Sequence, residues 1–170
     1  ADFKNDTFEG RIEAPHKPIL GMRGVLGFQV ISNRFEAVEV EEDEYINPIT
    51  RSNNFAAFAT ESLDLGPTTA EIGLRIEHAT INARGERASP HQTFTPISVS
   101  CSDLWNIDDQ NSIYLGRARS QRAPLANELF FEGEHEATAT YQTGNTGLTM
   151  ETSYNIDIGY KFNSKRVALE

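Results

Sequence analysis

Leu148-Thr149-Met150-Glu151-Thr152-Ser153-Tyr154-Asn155-Ile156-Asp157-Ile158-Gly159-Tyr160-Lys161-Phe162-Asn163 decides the fold class. Every odd position is polar or Gly. The even positions are Leu148, Met150, Thr152, Tyr154, Ile156, Ile158, Tyr160 and Phe162. A period of two makes this a β-strand with one dry and one wet face. Fully extended at roughly 3.3 Å per residue, it reaches about 50 Å. Upstream, Phe131, Gly133, His135, Ala137, Ala139 and Tyr141 share one face, while Glu132, Glu134, Glu136, Thr138, Thr140 and Gln142 share the other. With Thr143–Gly147 as a Gly/Asn-rich turn, the two runs read as one long C-terminal hairpin whose even face meets a core or a partner.

Working outward, Phe28–Val40 reads as a strand whose apolar phase slips by one residue after Phe35, the mark of a β-bulge. Ile72–Ala83 reads as a strand that changes phase near His78. Thr93–Cys101 and Ile113–Leu115 supply more strand. Asn53–Leu65 is the best helix candidate, with Asn at its start, Phe55, Phe58, Ala59 and Leu63 on one side, and Gly66-Pro67 as a stop. The expected class is all-β, an antiparallel sandwich or barrel of about seven strands with at most one short helix. Residues 1–27, rich in Gly and Pro, read as an extended arm or loops. Residues 28–163 form a single β-rich domain. Residues 164–170 read as a tail whose closing Leu169-Glu170 has the look of a vector scar. The opening Ala1-Asp2 fits either a cleaved signal peptide or a trimmed Met.

A net charge of −10 over 170 residues argues against a generic nucleic-acid binder, which must neutralise phosphates. No apolar run approaches the ~20 residues of a transmembrane helix, so no membrane span is expected. The single cysteine, Cys101, forms no internal disulfide and reads as a small buried hydrophobe. No Gly-x-Ser-x-Gly, Cys/His pair or phosphate loop occurs.

Four constellations remain. Asp103-Leu104-Trp105-Asn106-Ile107-Asp108 places the only Trp among Asp and Asn, as glycan sites often do: an aromatic face stacks on sugar C–H groups while carboxylates and amides take hydroxyls. Trp105, Asp103, Asn106 and Asp108 are therefore the candidate binding residues, against a Trp that merely anchors a strand end. His78 and His135 each follow a Glu, so His78, His135 and Glu134 could hold a metal if their strands are neighbours. The run Glu39–Glu44 reads as a solvated strand end that discourages edge pairing. Arg117, Arg119 and Arg122 form a basic segment that reads as a solvated loop or as a contact for the acidic run of a second copy.

Tyr160-Lys161-Phe162 resembles the aromatic-x-aromatic finish of outer-membrane barrels, but no Gly stands where that signal places it. The other strands lack the steady outward apolar pattern. The hairpin Phe130–Asn163 resembles, in shape alone, the tube-forming subunits of phage tails and secretion machines. The resulting expectation is a non-enzymatic structural subunit of a self-assembling particle, tube or surface structure, virion-borne or extracytoplasmic, homo-oligomeric and without cofactor. An extracellular carbohydrate-binding module and a His/Glu metalloenzyme are the alternatives.

Overall fold

The computed structural model describes residues 2–39, 44–84, 91–135, 140–163 and 168–169. It is all-β, with one helix among those residues. The strands are β1 (Asp2–Ile19), β2 (Met22–Glu39), β3 (Glu44–Asp64), β4 (Thr68–Arg84), β5 (Gln92–Phe94), β6 (Ile97–Asn106), β7 (Asn111–Arg122), β8 (Glu132–His135), β9 (Thr140–Thr143), β10 (Glu151–Asn163) and β11 (Ala168–Leu169); the helix α1 is Ala126–Phe130. The main sheet runs β1-β2-β3-β4-β6-β7-β10-β11, with β5 also pairing β4, and β8 and β9 form a separate two-stranded sheet. All pairings are antiparallel. This is an up-and-down meander in one layer, not a sandwich of seven strands.

Alternate ends of the meander differ. Leu20-Gly21, Leu65-Gly66-Pro67 and residues 107–110 turn the chain tightly at one end. Leu20, Gly21 and Gly66 take positive φ there, which a tight reversal requires and which Gly adopts without a Cβ clash. At the other end lie the two long connections, residues 85–96 with β5 and residues 123–150, which carry α1, β8 and β9.

The segment 1–27, expected as an arm, is sheet: β1 pairs β2 from Asp2 opposite Val38 to Ile19 opposite Met22. Gly10, Pro15 and Pro18 sit in the edge strand β1 and Gly21 in the turn, where a missing N–H or Cβ is tolerated. The expected helix 53–65 lies inside β3. Its Ala-rich stretch has little β preference of its own, but pairing with β2 on one side and β4 on the other overrides local propensity. The expected C-terminal hairpin is also re-paired. Glu132–His135 pairs Thr140–Thr143, whereas β10 pairs β7, with Glu151 opposite Arg122 and Phe162 opposite Asn111. The even face of β10 is not covered by protein, since Ile156 is 70% and Ile158 78% exposed.

Two phase changes have different causes. At Phe35–Val38 the β2–β3 register shifts, as a bulge does. At His78 the ladder is unbroken, and β4 instead changes which face is apolar. Ile72, Leu74 and Ile76 lie uncovered on one face, while Ala79, Ile81 and Ala83 are buried on the other. The cover is α1, whose Leu129 and Phe130 pack on Ile81 and Ala83 with Phe94 alongside.

Gly27 is required by close approach. The Phe58 ring of β3 lies over it, in the space a Cβ would occupy, and Arg11 stacks on that ring at 4.3 Å. Gly27→Ala is expected to destabilise the sheet by about 1–3 kcal/mol through overpacking. Adding Phe58→Ala should recover part of the loss. Urea unfolding of the two variants checks this coupling.

Candidate functional site

The functional element is the sheet itself, because register sorts its side chains into two chemically distinct faces. Residues directly opposite one another share a face. One such row is Ile12, Phe28, Ala57, Ile76 and Ile97; another is Thr68, Trp105, Ile113 and Tyr160. This face carries nearly all the exposed large hydrophobics of the main-sheet strands, including Leu26, Leu74, Val99 and Ile158; Phe3, Leu104 and Tyr114 are the exceptions. On the opposite face stand Glu9, Gln29, Arg75, Glu77, Ser102 and Asp157. Gln29 donates across strands to Glu9, and Arg75 pairs with Glu77 at 2.7 Å.

The apolar patch crosses the strands on a slant. On β1 its large residues before His16 are Phe8 and Ile12, in register with Thr80 and Ile76 of β4, while Ile19 lies beyond His16 beside the turn. On β10 they are Tyr154 to Phe162, of which Tyr160 is in register with Thr68. Polar groups bound it. Toward the tight turns, His16 Nε2 and Glu61 Oε1 are 2.7 Å apart across β2. Gly24 lies between them and leaves room for the Glu61 carboxylate, whose Oε2 is buried without a partner. Toward the long connections come Ser32, Asn53 and Thr80, then Arg34, Arg51 and Asn82.

The expected glycan residues do not converge. Trp105 and Asp103 are on the apolar face, with Trp105 50% exposed and in line with Ile113 and Tyr160. Asn106 is on the polar face opposite Ser112. Asp108 closes the turn, accepting from the backbone N–H groups of Gln110 and Asn111 at 2.8 Å; these bonds and the Asn111 side chain hold its carboxyl below the usual value. Nor does the metal trio gather. His78 is exposed on the apolar face of β4, whereas Glu134 and His135 belong to the β8–β9 sheet. Among the described residues no three His, Cys, Asp or Glu are grouped to hold a metal ion. Cys101 is exposed, not buried, because its face has no protein cover. Residues 40–43 of the acidic run lie outside the described residues.

The basic segment is strand, not loop. Arg122 Nη2 donates to Glu128 at 2.8 Å and also pairs with Glu151, which ties α1 to the end of the β7–β10 ladder. The register signal that would have found this latch is the Arg122-to-Glu128 spacing, which reads as nothing until α1 is placed.

The comparisons follow from this geometry. Residues 2–170 match the family described as TonB dependent receptor-like, beta-barrel, and the chain belongs to it. A solved structure named "Copper transporter OprC" is similar in fold, with a TM-score of 0.74 at 17% identity, over 96% of this chain and 28% of that one. The chain therefore spans little more than a quarter of that protein. The family overturns the expected particle subunit, the carbohydrate module and the metalloenzyme, and removes the virion setting. It agrees with an extracytoplasmic location in the broad sense. No described helix is long and apolar enough to cross a membrane, which says nothing about strands.

Arg122, first, and the Leu125 backbone N–H hold the Glu128 carboxyl below its usual value. A depressed folded pKa contributes stability that is present above the unfolded value of about 4.3 and lost as pH falls through the folded one. Protection of the Leu129 and Phe131 amides against hydrogen exchange should thus fall between pH 6 and pH 3. Glu128→Gln at pH 6 should resemble the wild type at pH 3.

Proposed function

We propose that the chain forms part of the wall of an outer-membrane β-barrel, its apolar face against lipid and its polar face toward the lumen of a TonB-dependent receptor or transporter. The slant of the apolar patch carries this reading. Its centre moves about eight residues along the strands between β1 and β10, roughly 26 Å, while crossing six strand spacings, roughly 29 Å. A level hydrocarbon layer crossing the sheet that way implies a strand tilt on the order of 40°, within the roughly 35–45° of membrane barrels.

The ends support the same orientation. Outer-membrane barrels have short periplasmic turns and longer extracellular loops, which assigns the tight turns to the periplasm and the α1-bearing connection to the outside. Trp105, Tyr160 and Phe162 fall at the turn side of the band and Phe8, Phe55 and Tyr154 at the other, as interfacial aromatic girdles do. The His16–Glu61 pair lies at the turn-side boundary, where a charge reaches the headgroups. The polar face, with Glu, Gln, Arg and Ser in register, suits a wet lumen. Copper is not carried over, since the likeness to the copper transporter conveys fold alone.

Leu74→Arg should cost about 2–4 kcal/mol of stability in a bilayer, whereas Asp157→Asn on the lumen face should stay within about 0.5 kcal/mol. Heat-modifiable migration and urea unfolding from phosphatidylcholine bilayers measure both, and equal behaviour would sink the two-faced reading. Trp105 fluorescence should be quenched by lipids brominated near the headgroup and far less by lipids brominated at the chain terminus. The reverse order would remove Trp105 from the girdle.

A further inference from the structure

Three arginines of a chain with net charge −10 converge on the lipid-side face beyond the apolar band. Arg34, Arg51 and Arg84 line one cavity of about 400 Å³ together with Asn82. Arg34 stands directly opposite Arg51, and Arg51 opposite Asn82. Like charges directly opposite on a sheet repel. Arg34 is partly offset by Glu36 at 3.1 Å, while Arg51 and Arg84 have no hydrogen-bond or ion-pair partner among the described residues. Guanidinium forks match phosphate geometry, and a shared phosphate would turn this repulsion into attraction.

Below the arginines the same face changes in order. The next row holds Ser32, Asn53 and Thr80, with Ser32 Oγ donating to Asn53 at 2.8 Å. Beneath it is a groove of about 670 Å³, lined by Ile12, Phe28, Phe55, Ile76 and His78. Small residues, Gly10 and Ala57, form its floor. Guanidinium, then hydroxyl and amide, then hydrocarbon is the order of groups along a phosphorylated lipid: phosphate, acyl linkage, chain. From Phe55 to Arg51 is four residues, roughly 13 Å along the strand, and arginine stems snorkel over such distances.

We propose that β2, β3 and β4 hold one phosphorylated membrane lipid of the leaflet on the long-connection side. Its phosphate lies among Arg34, Arg51 and Arg84, and one acyl chain lies in the Phe28–Phe55–Ile76 groove. This rests on the bilayer reading given under Proposed function.

The test uses the full-length protein in a neutral maltoside detergent, with native mass spectrometry as readout. The probes are palmitoyl-oleoyl phosphatidic acid, diacylglycerol with the same chains, and inorganic phosphate. One phosphatidic acid should be retained and diacylglycerol should not. Arg51→Ala/Arg84→Ala should weaken retention about tenfold or more, the scale of a lost charge-assisted pair. Arg51→Lys/Arg84→Lys keeps the charge without the fork and should fall between, which guards against a variant that fails to fold. Phe55→Ala should weaken phosphatidic acid retention as well. Displacement of the lipid by inorganic phosphate at matched concentration would mean an anion site only and would overturn the proposal, as would equal retention of diacylglycerol. Heat-modifiable migration from phosphatidylcholine bilayers is scored on the same proteins. Retained migration without lipid selectivity overturns the lipid site alone; absent migration overturns the bilayer reading and the site with it.

Discussion

Backbone hydrogen bonding is the constraint on which the rest depends. In the main sheet β2, β3, β4, β6 and β7 are each paired on both sides over much of their length, so the ladder itself satisfies the amides and carbonyls. Once that is done, the side chains need no protein core to shield the backbone. Both faces are free to meet different surroundings, and the described residues bury few large hydrophobics. In hydrocarbon, where no water takes up an unpaired amide, this is the condition for strands to exist at all.

Within that frame, small residues decide where side chains go. Gly24 lets Glu61 reach over β2 to His16, and Gly27 gives the Phe58 ring a flat seat on the polar side. At Gly116 the Tyr114 hydroxyl lies 2.6 Å from where a Cβ would stand. In each case the glycine loses its own side chain and a neighbour covers the gap, which keeps a weak strand former within a stable ladder. The α1 connection works by packing and charge together: Leu129 and Phe130 seal Ile81 and Ala83, while Glu128 holds Arg122.

The strand character of Glu151–Asn163 and the bulge near Phe35 were legible, because period-two alternation and a slipped phase are local signals. Partners were not. The wet and dry faces of β10 fit β9 as well as β7, and only the tertiary arrangement chooses. The dry face was read as a buried one, since alternation reports polarity and not whether the cover is protein or lipid. That same ambiguity made Trp105 look like a sugar platform, when register sends Asn106 to the other face. In Asn53–Leu65 the spacing of Phe55, Phe58 and Ala59 mimics a helical stripe, although Phe55 and Phe58 face opposite sides of the sheet. Arg34, Arg51 and Arg84 are far apart along the chain, so no window of sequence contains the patch that they form.

The slant of the apolar band turns each strand into a measuring rod. Side chains that face each other across the ladder sit at different depths, so Arg119 and Leu74, on the same register row, do not lie at one level. Removing one residue from a strand would exchange its faces and put Phe28 in water. Removing two would keep the faces but lower everything beyond by roughly 7 Å, enough to draw the arginines into hydrocarbon. Strand length in such a wall is therefore free to drift only in steps of two, and only where the neighbouring strands drift with it.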